Sequence, residues 1–192
     1  MIDALRENES ALIDSAKNGD RNAFSELVCL HVNPIMQILY RMYGDQHLAE
    51  DATQKAFIQA WLKLPNYQPK TAFRNWLIRI AINTAIDMLR KEKRILAQST
   101  ETMNLVDHAV GPETTVINNE RAESIRQAIL SLPEASRTVL ILREYEELSY
   151  QEIADMLDIP LGTVMSRLNY ARKILRKKLE DQLRPSVEAI YV

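Results

Sequence analysis

Apolar residues recur every three or four positions along most of this chain, and alternating β-branched runs are few, so the pattern predicts helices rather than strands. The sharpest pattern lies late, at 148–179, LSYQEIADMLDIPLGTVMSRLNYARKILRKKL. Ser149 is placed to cap a helix, with Glu152 three residues on to complete a capping box. Ile153, Ala154 and Leu157 then make one apolar face. Asp158-Ile159-Pro160-Leu161-Gly162 is predicted to break that helix, since proline lacks a donor and glycine accepts turn geometry, and Thr163 to cap the next. The second helix buries a stripe of Val164, Leu168, Ala171, Leu175 and Leu179. Its other face carries Ser166, Arg167, Asn169, Tyr170, Arg172, Lys173, Arg176, Lys177 and Lys178. A short helix crossing a longer one with a basic outer face is the helix-turn-helix design, whose second helix enters the DNA major groove. A solvated amphipathic helix pair is the other reading of the same pattern.

Upstream, the periodicity predicts a helix at about 10–17 ended by Asn18-Gly19, and another capped by Asp20 and interrupted at Pro34. Ile35, Ile38, Leu39 and Met42 continue the apolar face to Gly44. Asp45 caps a helix reaching about Leu64, with Leu48, Ala52, Phe57, Ala60, Trp61 and Leu64 inward. Pro65 and Pro69 bound a loop holding Tyr67, and Thr71 caps a long helix over about 72–96. The stretch 97–118, rich in Ser, Thr and Asn with a Gly-Pro, has linker composition. Helices follow at about 119–130 and 135–145, separated by Pro133, and residues 185–192 form a tail. The prediction is all-α: two small helical domains, 1–96 and 119–184, joined by a flexible linker, the C-terminal one a helix-turn-helix.

Composition narrows this picture. A 46% hydrophobic and 26% charged chain of 192 residues is ordinary for a globular protein, and four glycines suit helices. No apolar run approaches the roughly 20 residues that span a bilayer, and MIDALRENES lacks a signal peptide's basic and apolar regions, so a cytoplasmic location without membrane insertion is expected. Cys29, the single cysteine, lies in an apolar helical run and is expected to be a buried thiol. The net charge of −2 hides an uneven distribution. Arg74, Arg79, Arg90, Lys91, Lys93 and Arg94 meet only Asp87 and Glu92, while 163–178 holds six basic residues and no acidic one. Two basic blocks on a near-neutral chain suggest one polyanion contacted at two places.

Three segments carry candidate chemistry. In DQHLAEDATQKAFIQAW, residues 45–61, Asp51, Gln54 and Lys55 line one exposed strip with Glu50 alongside. Paired carboxylates serve acid–base chemistry only in a pocket with perturbed pKa values, and no Ser, Cys or His constellation surrounds these. A solvated face or a protein-docking strip remains. In the 73–94 helix, aromatic and basic residues interleave, as in proteins that bind single strands by stacking bases and neutralising phosphates. Trp76 and Phe73 also suit a core, and Tyr67 is the ring expected to be exposed for stacking. His31, His47 and His108 share no ligand spacing and no glycine-rich phosphate loop occurs, so nothing points to a metal, a cofactor or an enzyme.

These segments, with FRNWLIRIAINTAIDMLRKEKR and LPEASRTVLILREYEELSYQEIADMLDIPLGTVMSRLNYARKILRKKL, resemble the extracytoplasmic-function sigma factors of the sigma-70 superfamily over about 10–179. The resemblance implies a transcription initiation factor that binds core RNA polymerase at its β′ clamp helices and β flap. It places Asp45, Glu50, Asp51, Gln54 and Phe57 in the core-binding strip. Tyr67, Phe73, Trp76, Arg79, Asn83 and Arg90 fall in the segment that recognises and melts the −10 element of promoter DNA. Ser166, Arg167, Tyr170, Arg172 and Arg176 fall on the helix that reads the −35 duplex, with Thr163 and Lys173 near phosphates. The family further implies a linker threading toward the polymerase channels and an anti-sigma factor as regulatory partner. Two departures stand out: Met165 where the family commonly has lysine, and Asp158 where its turn has glycine. A helix-turn-helix repressor or activator with a dimerising or ligand-sensing first domain is the competing reading. It predicts a palindromic site bound without polymerase, and leaves the features at 67–94 unexplained.

Overall fold

The computed structural model describes residues 2–69, 71–99 and 118–183. Every regular element among them is helical: α1 (Ile2–Lys17), α2 (Arg21–Tyr43), α3 (Gln46–Lys63), α4 (Phe73–Ser99), α5 (Asn118–Leu130), α6 (Glu134–Glu144), α7 (Tyr150–Leu157) and α8 (Leu161–Leu183), with a 3-10 turn at Leu64–Asn66. They divide into two compact units, Met1–Lys91 and Glu92–Val192. Most of the expected linker, residues 100–117, and the expected tail, 185–192, lie outside the described residues. The helix expected to stop at 96 runs on to Ser99.

Local chemistry sets the boundaries in the first unit. Asp20 Oδ1 accepts from the Asn22 and Ala23 amides at 2.8 and 3.2 Å, and Asp45 Oδ1 accepts from Leu48 N at 2.8 Å, so each carboxylate satisfies amides that a helix start leaves orphaned. Gly44 ends α2 at φ 72°, and its amide donates to the Tyr40 carbonyl at 2.7 Å. Three boundaries differ from expectation. The first helix begins at Ile2 rather than near 10. Pro34 does not interrupt α2, which continues through it. Leu30, whose carbonyl a residue at 34 would normally bond, is 54% exposed, so that face of the helix is open to water. At α4 the first amides bond to the Ala72 carbonyl, from Asn75 at 2.9 Å and Trp76 at 3.2 Å, so the helix starts one residue past the position where Thr71 would cap it.

The core of this unit is built from Leu27, Ile35, Ile38, Leu39 and Met42 of α2, an alanine face of α3, and Leu77, Ile78, Ile82 and Ala85 of α4. Ala49, Ala52, Ala56 and Ala60 are fully buried, which brings α3 close against its neighbour. The Tyr43 hydroxyl donates to the Ala85 carbonyl at 3.1 Å, tying the end of α2 to α4. Cys29, expected inside, is exposed, because it falls on the outer side of α2 from Leu27.

In the second unit α6 is buried over Val139, Leu140, Ile141 and Leu142, and α8 packs on it through Val164, Leu168 and Ala171. Arg137 braces the α5–α6 corner: its Nη2 donates to the carbonyls of Leu130 and Leu132 at 2.6 and 3.0 Å. The guanidinium thereby offsets the negative end of α5. Burial pushes the Arg137 guanidinium pKa down.

Candidate nucleic-acid interface and docking strip

The helix-turn-helix forms from the bonds its sequence predicts at one end and by a different route at the other. Ser149 Oγ accepts from Glu152 N at 3.2 Å while the Glu152 carboxylate accepts from Ser149 N at 2.8 Å, a complete capping box. Asp158 ends α7 in the left-handed region at φ 53°, and Glu147 before α7 is at φ 56°. Asp158 thus takes the conformation a glycine adopts freely, so its presence leaves the bend intact at a cost in backbone strain. Beyond the turn, Thr163 is not the cap. Pro160 is, for its carbonyl accepts from Thr163 N at 2.8 Å and Val164 N at 3.3 Å, and α8 begins at Leu161 with Gly162 inside its first turn. A proline just before a helix presents the carbonyl without needing a donor.

This places the α8 residues. Thr163 and Arg167 are half-buried at the flank; Ser166, Asn169, Tyr170, Arg172, Lys173 and Arg176 are exposed. Ser166 Oγ donates back to the Thr163 carbonyl at 3.0 Å and keeps its acceptor lone pairs outward. Arg176 lies 4.0 Å from Glu180 one turn on. Arg172 is held differently: its Nε and Nη2 donate to Glu144 Oε1 at 3.2 and 2.7 Å. The pattern of the sequence singled out neither Glu144 nor Asn169 as site residues. Glu144 is 28 positions from its partner, a contact no local spacing reveals.

On α4 the expected aromatic site divides. Tyr67, read as the exposed stacking ring, is only 6% exposed, and Phe73 is 5% exposed. The two rings meet edge-on at 5.5 Å, Trp76 lies 4.9 Å from Tyr67, and His31 5.5 Å from Phe73. The Tyr67 hydroxyl donates to the Thr71 carbonyl at 3.0 Å, and Lys17 Nζ donates to the Tyr67 carbonyl at 3.0 Å. Burial first, and the negative charge of Glu9 second, raise the Tyr67 pKa. These rings form a small core at the start of α4. Trp76 is half-buried at the edge of that core, while Arg79, Asn83 and Arg90 are exposed on α4.

On α3, Asp51 and Gln54 are exposed and Asp45 and Glu50 half-buried. Lys55 Nζ is 3.9 Å from Asp51. Phe57 is 8% exposed and belongs to the core beneath the strip rather than to the strip. In its place the surface carries Ile58 and Leu62, 59% and 63% exposed, continuing from Gln54 by steps of four. Sequence reading missed them because apolar residues go nearly all round α3, and only the burial of its alanines shows which side is out. Amide, acid and exposed apolar groups together make a surface suited to docking a protein. Among the described residues no cluster of His, Cys, Asp or Glu could hold a metal.

A candidate docking strip in one unit and a basic helix-turn-helix in the other are the features that the comparisons with known proteins bear on. Residues 27–95 match Sigma-70 region 2, and residues 122–175 match Sigma-70, region 4. The chain is 39% identical over 178 residues to the ECF RNA polymerase sigma factor SigW of Bacillus subtilis, covering 88% of this chain and 95% of that protein. It is 37% identical to the RNA polymerase sigma-H factor of Pseudomonas aeruginosa, over 93% of this chain and 97% of the relative. It is 32% identical to the ECF RNA polymerase sigma-E factor of Escherichia coli, over 92% and 96%. Among solved structures, the sigma factor RpoE of Bartonella quintana superposes with a TM-score of 0.68 at 21% identity, over 82% of this chain and 96% of that one. CnrH superposes at 0.64 and 24% identity, over 91% and 98%. The chain belongs to the extracytoplasmic-function RNA polymerase sigma factors, which are transcription initiation factors and not enzymes.

Proposed function

We propose that this sigma factor divides its work between two surfaces, with residues 1–96 and 119–184 as working domains and 97–118 as the linker. Asp45, Glu50, Asp51 and Gln54, extended by Ile58 and Leu62, form the strip for the β′ clamp helices of core RNA polymerase. Arg79, Asn83 and Arg90, with the edge of Trp76, take the −10 strand once it is unpaired. Tyr67, Phe73 and Phe57 act from beneath by fixing the helices that carry these groups. On α8, Ser166, Tyr170, Arg172 and Arg176 read the −35 duplex, and Thr163, Arg167 and Lys173 contact phosphates. Base-edge contacts confer the choice of promoter and phosphate contacts most of the affinity.

The observation that carries this reading is the exposed basic face of α8, held over α6 and α7 by Val164, Leu168 and Ala171. The reading extends to a cytoplasmic location, and to control by an anti-sigma factor, the kind of partner with which the structurally similar RpoE was crystallised. No helix among the described residues is long and apolar enough to cross a membrane.

Run-off transcription with purified core polymerase and a promoter library tests the reading. Promoter-specific starts are expected only when the protein is added; binding to a palindromic duplex without polymerase, and no specific start, would overturn it. Asp51→Ala, at an exposed site, is expected to weaken binding to core by about 1 kcal/mol or more, leaving −35 preference intact. Equal defects in both assays would remove the division into two surfaces.

A further inference from the structure

Arg172 differs from the other cations of α8 in being gripped by another helix. Its Nε and Nη2 converge on one oxygen of Glu144, the last residue of α6, and both side chains are about half exposed, 49% and 45%. Hydrogen bonding to Glu144 first, and to Tyr150 second, raises the Arg172 pKa. Tyr150, the first residue of α7, is itself under the Arg143 guanidinium, 5.3 Å from the ring centroid. Tyr150, Met165, Ser166, Asn169 and Arg172 line an open groove of about 500 Å³ along this side of α8.

A guanidinium has five N–H donors in a planar fork. Glu144 takes the edge formed by Nε and Nη2, and Tyr150 bonds the same guanidinium, so DNA would meet the end-on edge, one N–H from each of Nη1 and Nη2. Guanine O6 and N7 form the planar acceptor pair that such an edge fits, and Asn169 beside it has the amide that fits adenine N6 and N7. A long arginine free in water loses rotamer freedom when it binds. One already held loses less, and its direction is set before the duplex arrives. As an isolated surface ion pair, Arg172–Glu144 has little to contribute to stability.

We propose that Glu144 is a positioning residue for duplex readout: it holds Arg172 by one edge so that the other is presented to a guanine base edge in the −35 element. This rests on the reading of α8 as the duplex-contacting helix.

The test uses the full chain with core polymerase on a promoter library randomised across the −35 element, with transcript sequencing as readout. Wild type is expected to prefer guanine at one position. Glu144→Ala should lower that preference roughly tenfold and leave preferences at the other positions unchanged. Glu144→Gln, which keeps an acceptor oxygen, should retain part of it. Arg172→Lys, without the planar fork, should lose it at the same position. If Glu144→Ala weakens all positions alike, the pair only braces the helices. If it sharpens the preference, Glu144 competes with DNA for Arg172; either result overturns the proposal. Absence of any −35 preference in wild type would instead sink the duplex-reading role of α8, so the two failures are separable.

Discussion

Glu152 and Ser149 bond each other reciprocally at the start of α7, Glu152 N donating to the Ser149 hydroxyl and Ser149 N to the Glu152 carboxylate. A serine followed three residues later by glutamate before an apolar run predicts a reciprocal pair of bonds, and both are present. Those bonds from Ser149 hold the Glu152 pKa below the usual carboxylate range. A carboxylate with a depressed folded pKa adds stability that is present above its unfolded value, about 4.3, and lost as pH falls through the folded one. Ser149→Ala is therefore expected to lower unfolding free energy by about 0.5–2 kcal/mol at neutral pH in urea titrations. Glu152→Gln should flatten the acid limb of stability against pH below about 4.3. An unchanged acid limb in that variant would show that the box carries no linked proton. Tyr67 and Cys29 show where such reasoning stops. Bonding between near neighbours gave the box, whereas the side on which Tyr67 or Cys29 falls is settled by packing: Tyr67 meets Phe73 and Trp76, six and nine positions on, and its carbonyl accepts from Lys17, 50 positions back.

At the scale of elements, six of the eight helices among the described residues were legible to within a few residues from spacing and caps. The sequence at 148–179 contains Asp158, Pro160 and Gly162, all turn formers, and only the backbone shows that the turn closes by Pro160. The α3 helix was placed correctly and Ala52, Phe57, Ala60 and Leu64 go inward as expected, but Ala49 and Ala56 join them and Ile58 and Leu62 stay outside, which apolar spacing alone does not show. Pro34 misled for a related reason: helix rules count its missing amide without knowing that Leu30 faces water. That leaves a prediction. A proline inside a helix is about 3 kcal/mol worse than alanine, so Pro34→Ala is expected to stabilise the protein by up to about that amount. Thermal and urea unfolding check it, and a loss of stability would mean that the proline's fixed φ is needed where α2 passes Pro34.

For the whole molecule, a net charge of −2 conceals a functional arrangement of opposite fields. The basic face of α8 is followed at its end by Glu180 and preceded by Glu144, Glu146 and Glu147, so attraction for a polyanion is confined to a short arc of surface. Affinity from such an arc comes from counterion release, and each phosphate neutralised on duplex DNA adds about −0.9 to the slope of log affinity against log salt. Lys173 is exposed and Arg172 is held by Glu144, so the two cations should separate by assay although they are adjacent in sequence. Lys173→Ala in the polymerase holoenzyme is expected to weaken binding to every promoter alike and to reduce the salt slope by about 0.9. A base-selective loss from Lys173→Ala would move that residue from the phosphates to the bases. The outcome matters for the molecule as a whole. A near-neutral chain can be kept off unrelated DNA while its basic surfaces still act at a promoter, because a few phosphate contacts acting alone supply little affinity. Joined through the polymerase to a second site on the same promoter, the same contacts need only be weak.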